Sequence, residues 1–228
     1  MKPNKKTARI AGVFFLMMVV FGLFAELFFR QNIFTANVDE TTTLIRQNTL
    51  LFRAGILSDI IMSLAYLFTA VALYRLLRSV DGDQAKLMVL FAASGCVMLL
   101  MNILNEYMPL VYANAETLAL SESQLRELSL MSFAAYNNGY MIGEVFFALW
   151  VLPLGLLIHR SNFIPKAFGV LFVIEAVFGL LSVAAHVLLD SETVSTILII
   201  PGTVAEFAFL FWLLIKGVNE KKLPPANA

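Results

Sequence analysis

The sequence has few of the residues that build metal, redox and hydrolytic centres. Its 228 residues include one cysteine, Cys96, and two histidines, His159 and His186. A single cysteine excludes an intramolecular disulfide, and a catalytic zinc usually needs three protein ligands, often histidines. The sequence also contains no G-x-S-x-G motif and no P-loop. We therefore predict no metal and no cofactor, and an enzyme is the least favoured class of function.

Charged residues are scarce as well. Only 14% of the residues are charged and 60% are hydrophobic, whereas soluble domains have about 25% and about 45–50%. The net charge is zero, so there is no electrostatic basis for binding nucleic acid. The hydrophobic residues are gathered in runs long enough to cross a bilayer, which is typical of membrane-spanning helices. The composition therefore predicts a protein whose main partner is the lipid bilayer.

Six apolar runs predict an all-α fold, a polytopic transmembrane helical bundle formed by one integral-membrane domain over residues 1–228. The first run is too long for the apolar part of a signal peptide, and no A-x-A cleavage site accompanies it. The last run is interrupted by Pro201 and Gly202. The predicted spans cover residues 8–29, 51–77, 85–112, 134–159, 165–190 and 195–217.

The basic residues predict the orientation of these spans, because cytoplasmic loops carry an excess of Lys and Arg. Twelve of the sixteen basic residues lie at one set of span ends, which includes both termini. The twelve are Lys2, Lys5, Lys6, Arg9, Arg75, Arg78, Lys86, Arg160, Lys166, Lys216, Lys221 and Lys222. The four on or near the other side are Arg30, Arg46, Arg53 and Arg126. Both termini are therefore predicted to be cytoplasmic.

Two longer connecting segments, residues 30–50 and 113–133, are then predicted to be external. Within the second, SESQLRELSLMS at 121–132 has apolar residues at positions 125, 128 and 131 with charged residues between them. This spacing predicts a short amphipathic helix at the membrane interface before the fourth span.

Every predicted span also has a face with polar or small residues. An ionised side chain at the bilayer centre costs about 2.5–3.5 kcal/mol on insertion scales, so several of them need a shared polar environment. In the second span, Asp59, Ser63 and Tyr66 are spaced i, i+4, i+7 and form one stripe. We predict a polar, carboxylate-lined chamber, mostly in the outer half of the bundle. The candidate ligand- or proton-binding residues are Glu26, Arg53, Asp59, Asn105, Glu106, Asn137, Tyr140, Glu144, His186 and Glu206.

Three interpretations of these residues stay open. Membrane carboxylates with few cations nearby stay protonated or hold a cation, which favours a sensor, accessory or binding protein for a small ligand, a cation or a lipid headgroup. The alternative is a proton- or cation-coupled transporter of a small solute. A transporter needs a path to both sides, and Glu175 is the polar residue predicted nearer the cytoplasm. The third interpretation is that these side chains only hydrogen-bond the helices to one another.

The sequence also contains an internal similarity. Residues 12–23 and 169–180 share Gly, Val, Phe, Val, Phe, Gly and Leu without a gap, and G-I-L-S-D and G-T-V-A-E end at Asp59 and Glu206. The pattern suggests three hairpin repeats, an arrangement known in transporters; chance similarity among Phe- and Leu-rich helices is the alternative. A G-x-x-x-G motif at Gly139 and Gly143 would allow close helix packing within one chain or in a homo-oligomer.

Five segments carry a resemblance to a known family. They are RIAGVFFL (9–16), LFRAGILSDIIM (51–62), ALYRLLRSV (72–80), NNGYMIGEVFFAL (137–149) and PGTVAEFAFLFWLLIKGV (201–218). They resemble the bacterial membrane proteins grouped as the domain of unknown function 4386 family. The resemblance implies a polytopic helical protein of the bacterial cytoplasmic (inner) membrane and implies no activity. Many relatives look like H-D-Y-G-Y where this chain has Y-N-N-G-Y at 136–140, so a histidine and an acid are missing here.

Overall fold

A computed structural model describes residues 4–34, 38–114, 120–189 and 192–222, without the side chains of residues 38, 39, 192, 195 and 221. Lys2, the side chain of Lys221 and the predicted end of the fifth span at residue 190 thus lie outside the described residues. The described residues form seven helices and no strand, which confirms the predicted all-α class. The helices are α1 (Lys5–Ile33), α2 (Val38–Gln47), α3 (Thr49–Leu77), α4 (Gly82–Ala113), α5 (Glu122–Arg160), α6 (Lys166–Leu189) and α7 (Glu192–Ile215).

Six of these helices, all except α2, are long and apolar enough to cross a membrane, which confirms the six predicted spans. Many of their large apolar side chains, such as Val187 and Val204, are exposed, as expected for a surface in contact with lipid. The last span stays helical through Pro201. A proline removes one backbone hydrogen bond, and membrane helices tolerate this because neighbouring groups satisfy the freed carbonyl.

The two segments predicted to connect spans at the outer side contain more helix than expected. Residues 30–50 include the whole of α2. The short interfacial helix predicted at residues 121–132 is not a separate element, because α5 runs without a break from Glu122 to Arg160. Ser121 caps its start: its backbone N–H donates to Gln124 Oε1 and its hydroxyl accepts from the backbone N–H of Gln124. No glycine or proline follows until Gly139, so nothing ends the helix before it enters the span.

The contacts within the chain define two compact units. Unit 1 comprises Met1–Leu16, Ala65–Cys96 and Ile142–Ala228, and unit 2 comprises Met17–Leu64 and Val97–Met141. Helices α6 and α7 belong to unit 1 alone, whereas α1, α3, α4 and α5 contribute residues to each unit. The single domain expected over residues 1–228 and the hairpin repeats stay predictions.

Unit 1 brings the first and last described helices together. A Cβ on Gly12 of α1 would lie 2.9 Å from Cδ2 of Leu214 on α7, so the small glycine allows the close approach. The backbone N–H of Lys5 donates to Glu220 Oε1 at 3.3 Å. Of the twelve basic residues predicted to lie at the cytoplasmic span ends, the ten whose side chains are described all belong to unit 1. The other four basic residues, Arg30, Arg46, Arg53 and Arg126, belong to unit 2. The contact between Lys5 and Glu220 brings both ends of the described chain close together in unit 1.

The core of unit 2 lies among the end of α1, α2, α3 and α4. The rings of Phe29 and Phe52 meet edge to face with centroids 4.9 Å apart. Ile33, Ile45 and Ile103 are buried against them in the same cluster. This packing fixes the last turns of α1.

Gly55 on α3 packs directly under the ring of Phe29, where a Cβ would overlap ring carbons. We therefore expect Gly55→Ala to lower the free energy of unfolding by about 1–3 kcal/mol, the usual cost of adding a methyl group to a filled core. The measurement is thermal unfolding of the detergent-purified protein. Gly82→Ala is the matched control, because nothing lies within 4 Å of its Cβ position. Equal melting temperatures for the two variants would contradict this packing.

Candidate functional site

Arg30 lies at the centre of a buried ion cluster in unit 2. Its Nη1 lies 2.7 Å from Asp59 Oδ2, 2.8 Å from Glu106 Oε1 and 2.9 Å from the hydroxyl oxygen of Tyr136, so the two hydrogens of this nitrogen are shared among three oxygens. Its Nε donates to Glu26 Oε2 at 2.8 Å. The side chains of Arg30, Asp59 and Glu106 are 11%, 2% and 0% exposed. One guanidinium thus contacts three carboxylates, which α1, α3 and α4 provide.

The end of α1 explains how Arg30 reaches this position. Residues Phe24–Arg30 form a π-helix, a rare widened turn that is frequent at functional sites. Within it Phe28 is exposed and Phe29 is fully buried. Because Phe29 is held between Gly55 and Phe52, the next residue, Arg30, is directed into the interior of unit 2.

Asp59 and Glu106 also face each other. Their carboxyl groups lie within hydrogen-bonding distance, and the second oxygens, Asp59 Oδ1 and Glu106 Oε2, are buried with no hydrogen-bond partner in the described part of the chain. Glu26 is 52% exposed, so water can screen its charge. The two buried carboxylates share one buried guanidinium. This part of the cluster therefore carries one surplus negative charge unless it holds a proton or another cation.

Neutral polar groups of α4 and α5 surround the cluster. Asn102 Nδ2 donates to the backbone oxygen of Tyr136 at 2.8 Å, and Asn105 Nδ2 donates to Asn102 Oδ1 at 3.1 Å. The guanidinium carbon of Arg30 lies 5.5 Å from the centre of the Tyr136 ring, within the range of a cation–π interaction. Tyr136 therefore holds Arg30 both through its hydroxyl and through its ring.

A small cavity borders Asp59. Its volume, counted as space for the centre of a water molecule, is about 10 Å³, close to the minimum that one water needs. The cavity therefore has room for about one water molecule. Gly139 allows Asn102 to approach α5, since a Cβ there would overlap the Asn102 amide. The lining residues are Asp59, Met62, Ser63, Leu99, Asn102, Ile103, Tyr136 and Tyr140.

The structure brings together only part of the residue set predicted from the sequence. Glu26, Asp59 and Glu106 meet at Arg30, while Asn105 and Tyr140 lie at the edge of the same site. In unit 2, Arg53 and Asn137 are exposed. The remaining three residues belong to unit 1 and are Glu144, His186 and Glu206.

Within unit 1 these three residues have different neighbours. Glu144 lies close enough to His186 for an electrostatic interaction. Glu206 lies within hydrogen-bonding distance of Glu175, although the sequence predicted Glu206 in the outer half of the bundle and Glu175 nearer the cytoplasm. Depth counted from the end of each span is imprecise, and here Gly202 lets α7 approach the Glu175 side chain closely.

Sequence reasoning missed Arg30 and Tyr136. The first span was predicted to end at residue 29, so Arg30 was assigned to the membrane surface. The expectation that membrane carboxylates have few cations nearby is wrong for Glu26, Asp59 and Glu106, because each of them bonds Arg30. One signal was present: Glu26 and Arg30 are spaced i, i+4, the spacing of a helical ion pair.

Comparison with known proteins assigns a family to the sequence. The model of a family described as "Domain of unknown function (DUF4386)" matches residues 10–217. The match includes all five residues of the Arg30 cluster, and it includes Glu175 and Glu206 of unit 1. No curated protein and no solved structure matches the chain.

Replacing Arg30 tests whether its charge holds the cluster together. We expect Arg30→Met to lower the free energy of unfolding by about 3–5 kcal/mol, because it leaves Asp59 and Glu106 as buried carboxylates without their guanidinium. Thermal unfolding in detergent measures the loss. Arg53→Met is the matched control, since its side chain is exposed and a surface change is expected within about 0.5 kcal/mol.

A rescue experiment separates charge from packing. Adding Asp59→Asn and Glu106→Gln to Arg30→Met removes the unpaired charges, so stability is expected to recover in part. If Arg30→Met is as stable as Arg53→Met, the cluster does not hold the segments of unit 2 together.

Proposed function

The chain belongs to the domain of unknown function 4386 family, and we propose that it is a multi-pass membrane protein that binds a proton or a small monovalent cation at Asp59 and Glu106. The observation that carries the proposal is the contact between two buried carboxyl groups that share one guanidinium. The site would make the protein an ion sensor or an accessory protein rather than an enzyme.

The charges of the cluster select the charge of the ligand. Asp59 and Glu106 bring two negative charges into the interior, and Arg30 offsets one of them. In a medium of low dielectric constant a remaining charge is expensive. One proton or one monovalent cation makes the buried part of the cluster neutral, whereas an anion would increase the imbalance.

The geometry also favours a small occupant. The cavity beside Asp59 accommodates a particle the size of one water molecule. The described residues contain no group of three or more His, Cys, Asp or Glu side chains that could hold a metal ion. A divalent cation would in addition face the guanidinium of Arg30 across the carboxylates. These features support a proton or a monovalent ion over a divalent metal and over a lipid headgroup.

Occupancy of the site would change forces between helices. Asp59 belongs to α3, Glu106 to α4 and Arg30 to α1. When the two carboxyl groups are both ionised they repel each other, and when they hold a cation the repulsion becomes attraction. A sensor requires this kind of link between ligand binding and the spacing of helix segments.

A proton- or cation-coupled transporter of a small solute is the second candidate. The observation that favours it is a second pair of acids, Glu175 and Glu206 in unit 1, since ion-coupled carriers place acidic residues along a pathway. Proteoliposomes loaded with a pH-sensitive or sodium-sensitive dye distinguish the two functions. A binding protein produces no flux beyond that of empty liposomes, and a carrier does.

Ion binding is tested by thermal unfolding of the purified protein at several pH values and with sodium replaced by choline at constant ionic strength. Saturation with an ion that binds the native state stabilises it, by about 2.7 kcal/mol at 100 times the dissociation constant. We expect the wild type to respond to pH or to sodium, and Asp59→Asn and Glu106→Gln each to reduce the response. Asp83→Asn, a change at a carboxylate that is 93% exposed, is the control and keeps the full response. A response of equal size in all four proteins would contradict the site.

We also propose that the protein lies in a bacterial inner membrane with both termini in the cytoplasm. The excess of Lys and Arg at the span ends that include both termini supports this orientation. Cysteines introduced one at a time test this orientation. The native Cys96 is only 3% exposed, so little background labelling is expected from it. Ser123→Cys should react with a membrane-impermeant maleimide in intact cells, and Asp83→Cys only after the membrane is opened. The reverse pattern would mean the opposite orientation.

A further inference from the structure

A second pair of acids lies in unit 1, where Glu175 of α6 meets Glu206 of α7. Their carboxyl groups are within hydrogen-bonding distance of each other. Glu175 Oε2 is buried and has no hydrogen-bond partner among the donors that the structure describes. A Cβ on Gly202 would overlap the Glu175 side chain. The glycine, one turn before Glu206, therefore allows α7 to come close enough for the two acids to touch.

The surroundings of this pair differ from those of Asp59 and Glu106. Among the described residues, the titratable groups that act on the pair are the two glutamates themselves and Tyr66 of α3. Neither a lysine, an arginine nor a histidine is among them. Two carboxylates in contact repel each other, and with no cation to offset the repulsion they do not both stay ionised.

Tyr66 provides an independent indication of a binding site. Its side chain is fully buried, and its hydroxyl has no hydrogen-bond partner in the described structure. The hydroxyl lies close enough to Glu206 to interact with it electrostatically. Buried hydroxyl groups are almost always hydrogen-bonded. The Tyr66 hydroxyl is therefore an unused hydrogen-bond donor near the acid pair.

We propose that Glu175 and Glu206 form a proton-binding site that holds one proton in the hydrogen bond between their carboxyl groups. When the site is filled, an O–H bond of hydronium breaks as the carboxyl O–H bond forms. On release the carboxyl O–H bond breaks and a water molecule takes up the proton as hydronium. When the proton leaves, the pair gains a second negative charge, which the dipole of the nearby Tyr66 hydroxyl offsets in part. The site shares no residue with the Arg30 cluster and does not depend on the function proposed there.

A proton suits this site better than a larger cation. The site provides two carboxyl groups and one hydroxyl, whereas sites for metal cations generally need more oxygen ligands. The two carboxyl groups lie within hydrogen-bonding distance of each other, which suits a shared hydrogen better than a larger ion between them.

Infrared titration of the protein in lipid nanodiscs tests the proposal, because protonated carboxyl groups have a C=O stretch that carboxylates lack. At neutral pH we expect the wild type to show the C=O stretch of one protonated carboxyl group from this pair. Glu175→Gln and Glu206→Gln should each remove that signal completely. In either variant the glutamine amide donates to the remaining carboxylate, which then no longer needs the proton. Difference spectra against the wild type isolate this pair, since both variants keep Asp59 and Glu106.

Glu144→Gln is the matched control, because Glu144 is also partly buried in unit 1 but lies near His186 rather than near another acid. It is expected to keep the signal. Persistence of the signal in both variants, or its loss in only one of them, would overturn a shared proton. Loss in Glu144→Gln alone would assign the proton to a different residue and overturn the site as well.

Tyr66→Phe tests the role of the hydroxyl. Removing the donor makes the ionised pair less favourable, so the signal should persist to higher pH than in the wild type without losing intensity at neutral pH. An unchanged midpoint would overturn the assignment of Tyr66. Asp59→Asn and Glu106→Gln serve as cross-controls: they should leave this signal in place, so failure of the ion site at Arg30 and failure of this site are distinguishable.

Discussion

The arrangement of unit 2 depends on one buried guanidinium shared among three carboxylates. Removing an arginine and two acids from water is costly, and the contact between them offsets the cost only when the hydrogen bonds are well placed. Arg30 meets this condition because a guanidinium has several donors fixed in one plane. Its bonds to Glu26, Asp59, Glu106 and Tyr136 join segments of α1, α3, α4 and α5. A lysine has one nitrogen, whereas Arg30 reaches its four partners through two nitrogens, Nη1 and Nε.

The helices were predictable from the sequence because a bilayer imposes a rule that acts along one dimension. Each span must satisfy its own backbone and present enough apolar length, so hydropathy locates spans without knowledge of their neighbours. The same rule explains why helix survives at Pro201. Side chains inside the protein obey no such one-dimensional rule. Helical periodicity correctly assigned Asp59 and Glu106 to an interior face, yet it could not indicate which residue on another helix each of them meets.

Arg30 illustrates what periodicity cannot provide. It comes directly after an apolar run and directly before the polar residues Gln31 and Asn32. This pattern is typical of a residue at the end of a membrane span, near the membrane surface. Its inward direction results from the π-helical turn before it and from the burial of Phe29 against Gly55. Both are consequences of packing with α3. The pairing of Glu206 with Glu175 has the same origin, because it depends on a glycine of one helix lying against an acid of another. A glycine in a helix can be recognised in the sequence as a possible site of close packing. The sequence does not show which residue of another helix packs against it.

The contrast between the two acid pairs follows from the arginine. Asp59 and Glu106 have a guanidinium that offsets one charge, so a single monovalent cation or proton makes the group neutral. Glu175 and Glu206 have no such cation among the residues that act on them, so the proton between them removes the repulsion while one negative charge remains. The buried Tyr66 hydroxyl lies close enough to Glu206 to interact with this pair electrostatically, whereas the first pair is surrounded by an arginine, a tyrosine and amides. One chemical group, the carboxyl pair, is thus suited to two different occupants by its neighbours alone.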